Sequence, residues 1–312
     1  MAISIIIPAY NVENFLEATL ESVLAQTVGD WEVVVVNDGS SDQTGTVAEA
    51  FARRDKRITV VHQTNSGIAA ARNRGFSESR ADYEYCLFLD SDDLLEPDAL
   101  AILLQALREN PKAIGAHGIL RYINSEGQPM TVNGSTIAPR RRRGIRGRWA
   151  KIWPVSEPTT FAVLAYANCI PTCALMLRRA GIEAVGNFDQ NAAPCDDWDM
   201  WLRLSRLGDI SFVNRVIYLY RMHEGNISKR RQLMYDRQLY IRKKMYQMAD
   251  LDRVEKHNIL WGHRYHELHR ARINLGESVR KLWRGRTREG FQQFHTAIRH
   301  VFCLFKGIQQ FT

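Results

Sequence analysis

Asp90, Asp92 and Asp93 crowd into "FLDSDD" directly after the apolar run "CLFL". Carboxylates this close repel one another unless something positive belongs between them. At the end of a buried strand they suit a hard, oxygen-seeking cation such as Mg²⁺ or Mn²⁺, with a diphosphate supplying further ligands. One acidic residue here would be explained by capping of the helix that follows, and Asp93 is the one most easily taken for such a cap. Three together point to a cation and a phosphate.

Four other stretches carry chemistry. In "VVVVNDGSSDQT", Asp38, Gly39 and Ser40 form a tight turn at a strand tip. A carboxylate there can accept from a ring N–H or a ribose hydroxyl, although Asp-Gly is also an ordinary turn pair. In "NSGIAAARNRG", Gly67 opens a helix whose N-terminus can face an anion; Arg72 inside it reads equally as a phosphate contact or a surface ion pair. In "PCDDWDMWLRL", Asp196, Asp197 and Asp199 gather in a first helical turn, where the helix dipole favours them. Capping accounts for one; the pair beside Trp198 can include a general base. His223, in "YRMHEGNIS", reads as a phosphate or metal contact or as a plain loop histidine.

The elements that must position these residues follow from periodicity. "ISIIIPAYN", "WEVVVVND", "ITVVHQTN" and "YEYCLFLD" are short β-branched or apolar runs, each read as a buried strand. Helical patterns follow each one: "VENFLEATLESVLAQ", "TGTVAEAFARRD", "GIAAARNRGFSES" and "EPDALAILLQALREN". Such alternation predicts an α/β fold: a doubly wound, mostly parallel sheet with helices on both faces. Ligands of such sheets bind at the carboxyl ends of the strands. "PAYN", "NDGSSD" and "DSDD" should therefore open on one edge. Beyond about residue 229 the pattern is helical.

The 312 residues suit one large domain with an appendage, or two domains. The expected division is 1–228, with a nucleotide half of about 1–110 and an acceptor half of about 111–228, followed by a basic extension over 229–312. No apolar run reaches the ~18 residues needed to cross a bilayer. "MAISIIIPAY" reads as a core strand, and the expectation is a cytoplasmic chain. Five scattered cysteines read as buried thiols, not as a zinc site. The net charge of +8 is unevenly spread: residues 229–312 hold 19 Lys and Arg against 7 Asp and Glu. An acidic front suits cations and a basic tail suits an anionic partner.

In this order, "IIIPAYN", "VVVVNDGSSDQT", "NSGIAAARNRG", "FLDSDD", "CDDWDMWLRL" and "YRMHEGNIS" resemble the family 2 glycosyltransferases of the GT-A fold, over roughly residues 2–228. The resemblance implies a nucleotide-sugar donor, usually a UDP-sugar, a divalent metal (Mg²⁺ or Mn²⁺) and inversion at the anomeric carbon. It implies that Pro8, Ala9, Tyr10 and Asn11 line the nucleotide pocket and that Asp38 contacts the base. Gly67, Arg72 and Ser91 would lie beside the nucleotide. Asp90 would reach ribose or the metal environment, Asp92 would be the D-x-D metal ligand, and His223 would lie near metal or diphosphate. Asp197 matches the catalytic base. Relatives carry Glu-Asp before the tryptophan; here Asp196 replaces the glutamate, which puts the acceptor contacts expected of Asp196 and Trp198 in question.

"APRRRRGIRGRWAKIWP" reads as an acceptor loop or a solvated loop; nucleic acid is not expected. The tail combines Lys and Arg with Trp261, Trp283, Phe291 and Phe294, a pattern suited to an anionic membrane face, to packing or to homo-oligomerisation. The expected function is transfer of a sugar from a nucleotide diphosphate to a hydroxyl of a glycan or lipid-linked glycan. The alternatives are a nucleotide-sugar-binding protein without catalysis, and a nucleic-acid-binding protein using Arg140–Arg143 and the tail.

Overall fold

The computed structural model describes residues 2–132, 134–137, 141–143, 149–151 and 158–311. They form two compact units. The first comprises Met1–Arg140, Trp153–Thr160 and Ile170–Arg237; the second comprises Arg141–Ile152, Phe161–Cys169 and Gln238–Thr312.

The strands, in chain order, are β1 (Ile3–Ala9), β2 (Trp31–Asp38), β3 (Ile58–Gln63), β4 (Tyr85–Phe88), β5 (Leu94–Leu95), β6 (Gly115–Ile123), β7 (Arg141–Arg143), β8 (Trp149–Lys151), β9 (Leu175–Arg178) and β10 (Ile210–Arg221). The helices are α1 (Leu16–Leu24), α2 (Thr44–Arg54), α3 (Ile68–Glu78), α4 (Ala99–Glu109), α5 (Phe161–Tyr166), α6 (Arg179–Val185), α7 (Asp196–Leu204), α8 (Arg231–Gln247), α9 (Arg253–Trp283) and α10 (Thr287–Phe311).

The first unit is built on one sheet, ordered β3-β2-β1-β4-β9-β6-β10-β5. The pairs β3–β2, β2–β1, β1–β4 and β6–β10 are parallel. β9 runs antiparallel to both its neighbours, and β5 antiparallel to β10. Side chains alternate across the sheet with the period of two that a strand imposes. Ile3, Ile5 and Ile7 of β1 join a core with Leu16, Leu20, Phe51 and Leu103 from α1, α2 and α4. On the other face Val34 and Val36 of β2 pack with Ala71 of α3. Gly75 of α3 lies so close to Ile6 and Val36 that a Cβ there would collide with both. Helices thus cover both faces, as the alternating pattern predicted.

The direction of β9 matters for function. An antiparallel strand starts at the edge where its parallel neighbours end. The turn before it, Thr172–Ala174, therefore arrives at the carboxyl edge beside the residues after β4. β6 and β10 end at that edge too, which delivers Arg221 and His223 to it.

The second unit is mainly helical. Asp252 opens α9 with a reciprocal capping box to Glu255. α5 meets α9 where Gly262 lies against the Ala165 carbonyl and Tyr166, and where the Tyr166 and Tyr265 rings stand 4.4 Å apart. α10 folds back antiparallel on α9: Ser278 donates to the Gly290 carbonyl, Gln293 to Asn274, and His300 meets Glu267. The sequence division at 228 differs from the one observed, which falls at Arg237 inside α8; the second unit also takes in 141–152 and 161–169. The acceptor-loop and nucleic-acid readings of the Arg140–Arg143 run fall largely on a segment outside the described residues; the backbone of Arg141–Arg143 pairs antiparallel with Trp149–Lys151. Among the described residues no helix is long and apolar enough to cross a membrane.

Candidate active site

The carboxyl edge of the sheet gathers the sequence-predicted residues. After β1, Pro8 and Ala9 are buried and Tyr10 stands half exposed. Asn11 adopts the left-handed backbone (φ 51°) that asparagine tolerates better than most residues. Its amide donates to Ser40 Oγ, and its side-chain carbonyl accepts from the Ser41 amide at 2.9 Å. The loops after β1 and β2 are thereby tied together.

Asp38 ends β2 nearly buried, with three donors on its carboxylate: the Gln63 amide side chain at 2.7 Å and the Ser66 and Gly67 backbone N–H groups at 2.8 and 2.9 Å. This corrects one expectation. The N-terminus of α3 does not lie open to a phosphate, because an anion of the chain's own already sits there. Gly67, at φ +87°, has the conformation L side chains rarely adopt, and its N–H is spent on Asp38.

Arg72 is also corrected. It is not a surface ion pair: it is 3% exposed, and its two terminal nitrogens bridge Asp90 (2.8 Å) and Asp196 (2.7 Å). Burial opposes its charge, but Asp196, Asp90 and Asp197 outweigh that and hold the guanidinium firmly protonated. The same contacts correct the acceptor role expected of Asp196. Its carboxylate is wholly buried and faces Arg72, and Trp198 is only 1% exposed. Neither side chain offers a surface to an acceptor. The N-cap of α7 is Cys195, whose side chain makes no capping hydrogen bond.

The D-x-D loop divides its carboxylates by environment. Asp90 is held by Arg72; burial raises its pKa, Asp92 adds to that, and Arg72 pulls the other way. Ser91 is buried, and its carbonyl accepts from Thr19 of α1. Asp92 is partly exposed, with Oδ2 2.8 Å from His223 Nε2. Asp93 is no helix cap, since α4 starts later, after Asp98. It is 1% exposed, accepting from the Tyr218 hydroxyl at 2.5 Å and the Arg221 amide at 2.7 Å. Burial, with Asp92 and Asp90 close by, pushes it well above the usual carboxylate range.

Asp90, Asp93 and Cys173 bring ligand-type atoms within 4.8 Å of one another. Their bonding is internal, however: the Asp90 amide donates to Cys173 Sγ, and Cys173 to Asp93. Asp92 and His223 are partly exposed, as is Asp90, and a carboxylate such as that of Asp92 suits Mg²⁺ or Mn²⁺. His223 is placed by Phe15, whose ring lies 4.7 Å away, and by Asn226, which accepts from its amide. Asp197 heads α7 with Oδ1 on the Trp198 amide (2.6 Å) and Oδ2 on the Thr172 hydroxyl (3.1 Å).

Sequence reasoning missed Thr172, Cys173, Tyr218 and Arg221. Arg221 stacks over Phe15, and its side chain reaches the carbonyls of Asp92 and Ser125. Its signal was a charged residue ending an apolar strand, two positions before His223. Thr172 and Cys173 immediately precede "LMLR", but only the antiparallel direction of β9 makes them site residues. A surface cavity of about 630 Å³ between α4 and the first half of β10 lies away from these groups.

The model of the glycosyl transferase family 2 matches residues 4–181, a stretch that ends before Asp197 and His223. The glycosyltransferase GlyA of Streptococcus pneumoniae is 39% identical over 230 residues, 73% of this chain and 31% of its own length. The match thus spans about a third of the length of this relative and of two other glycosyltransferases, EpsJ and EpsH of Bacillus subtilis. Among solved structures, S. aureus TarS in complex with UDP-GlcNAc superposes with a TM-score of 0.63 at 21% identity, covering 86% of this chain and 72% of that one. The mannosyltransferase PcManGT of Pyrobaculum calidifontis, in complex with GDP-Man and Mn²⁺, gives 0.62 at 16% identity, covering 96% and 86%. These likenesses establish a GT-A type fold, and on the family match over more than half its length the chain belongs to the glycosyl transferase family 2.

Proposed function

We propose that the chain is an inverting glycosyltransferase that moves a sugar from a nucleoside diphosphate, a UDP-sugar first, to a hydroxyl of a glycan or lipid-linked glycan. The observation that carries this is the convergence on one sheet edge of a solvent-reached carboxylate–imidazole pair, Asp92 with His223, and a carboxylate at a helix start, Asp197. Arg72 joins their two neighbourhoods through Asp90 and Asp196. The UDP-GlcNAc complex of TarS and the Mn²⁺ complex of PcManGT favour the same reading.

Tyr10, half exposed after β1, would lie against the base, and Asp38 would accept from it. Asp92 and His223 would hold Mg²⁺ or Mn²⁺, whose chemistry when bound is to offset the charge of the diphosphate leaving group. Asp90, fixed by Arg72, would accept from the ribose. Asp197 takes the proton of the acceptor hydroxyl as that oxygen forms its bond to the anomeric carbon. The bond from that carbon to the diphosphate oxygen breaks on the opposite face, so configuration inverts and the diphosphate leaves with the electron pair. This reading puts the chain in the cytoplasm, where its acceptor is reached at the inner face of the cell membrane.

The test is release of nucleoside diphosphate from a panel of donors, with Mn²⁺ or Mg²⁺ and oligosaccharide acceptors. Turnover of one donor that disappears in Asp197→Asn supports the reading. Binding of donors without turnover under any acceptor would replace it with a non-catalytic nucleotide-sugar-binding role.

A further inference from the structure

The hairpin of α9 and α10 leaves one broad apolar face uncovered. On α9, Trp261, Leu268, Leu275 and Leu282 recur every seven residues, so they fall along one stripe of the helix. Trp261, Leu275 and Leu282 are 36–45% exposed, and Trp283 beside them is 90% exposed. On α10, Phe291, Phe294, Ile298 and Val301 alternate at three and four, a second stripe; Phe291 is 60% exposed.

The two stripes share a side. α9 meets α10 through Glu267, Asn274 and Ser278, and α10 answers through Gly290, Gln293 and His300. On each helix the apolar stripe lies about a quarter turn onward from those contact positions, at 3.6 residues per turn. In antiparallel helices two such turns fall on the same side of the hairpin.

Carboxylates are sorted across the hairpin. Arg288 and Arg299, both exposed, flank the apolar stripe of α10 on its outer edge. The carboxylates Glu277 and Glu289 lie on the opposite side, where Glu289 pairs with Lys281. An apolar face bordered by arginines and free of carboxylates offers a second copy no opposite charge, yet it complements a negatively charged apolar boundary. We propose that this face of the α9–α10 hairpin docks on an anionic lipid bilayer surface, with Trp283 and Phe291 entering the headgroup region. The proposal is independent of the transfer reaction and is tested without it.

The full chain is mixed with vesicles of phosphatidylcholine alone and of phosphatidylcholine with phosphatidylglycerol, and binding is read by flotation. Binding is expected only with phosphatidylglycerol, and is expected to weaken as salt rises. Arg288→Glu with Arg299→Glu should weaken it at least about tenfold. So should Trp283→Ser with Phe291→Ser, two side chains too exposed for their loss to unfold the chain. Lys112→Glu, an exposed reversal in the first unit, should leave binding unchanged. Tryptophan emission should shift to the blue on anionic vesicles, and Trp283→Phe should reduce that shift. Equal binding to both vesicles, no binding to either, or full binding by the two double variants overturns the proposal. A lipid-free dimer dissolved by the Trp283 and Phe291 changes, with no vesicle binding, would identify the face as a contact between copies instead.

Discussion

Asp197 accepts from the Trp198 amide and the Thr172 hydroxyl, and a carboxylate offers about four lone pairs. In the proposed role, one of these lone pairs accepts the proton of a substrate hydroxyl. Asparagine has nearly the same shape but cannot hold that proton. Asp197→Asn should lower kcat by about 10²–10⁴ while the donor dissociation constant changes little, read by steady-state kinetics beside calorimetric titration. A comparable loss of donor affinity would move Asp197 from acceptor chemistry to donor binding. Arg72 presents the opposite case, a residue whose bonds are all internal. Lysine keeps the charge but cannot fork between Asp90 and Asp196, so Arg72→Lys leaves a buried carboxylate uncompensated. The expected loss is about 3–5 kcal/mol in urea unfolding. A loss under about 1 kcal/mol would mean that water or a shifted side chain already serves Asp196.

At the scale of elements, α3 links the face of the sheet to its edge. Gly75 lets it approach β1 and β2 closely, and eight residues earlier, at the N-cap, Gly67 brings its first turn to Asp38. Gly75→Ala would press a methyl onto Ile6 and Val36, and should cost about 1–3 kcal/mol as an overpacked core, measured by thermal melting. If the helix lifts to relieve the strain, Arg72 moves with it, and turnover should fall along with stability. An unchanged melting temperature would show that α3 is not clamped at this point. β1–β4 and α1–α4 were legible in the sequence because each carries its own signal, an apolar run or a 3.6-residue stripe. The site was legible as far as its carboxylates and His223. The tie through Arg72 was not, because its bonds to Asp90 and Asp196 span 18 and 124 positions of chain and local pattern says nothing about such distances. The direction of β9 was hidden for the same reason: four residues that pair with β4 on one side and β6 on the other carry no mark of being antiparallel.

For the molecule as a whole, stability should depend on pH through buried histidines of the second unit. His263 lies on α9 at 1% exposure, and burial, with Arg242, Lys243 and Arg264 nearby, lowers its pKa to about 4, although Glu267 works the other way. In the unfolded chain the same imidazole binds its proton near 6.5. The unfolded state therefore takes up protons first as pH falls, and folding is penalised from about pH 6.5 downward. The penalty grows until the folded histidine itself protonates near pH 4, by which point it amounts to about 3 kcal/mol at about 1.4 kcal/mol per pKa unit. Above pH 6.5 the imidazole is neutral in both states and contributes no slope. His266 is held lower still, at about 2, by burial and by the charges of Arg242 and Arg270, so it adds to the same trend. Melting temperatures taken from pH 7 to pH 4.5 should fall, and His263→Gln, which fills similar space without titrating, should flatten the fall. A His263→Gln profile parallel to the wild type would place the acid sensitivity elsewhere, with the carboxylates whose salt bridges protonation breaks.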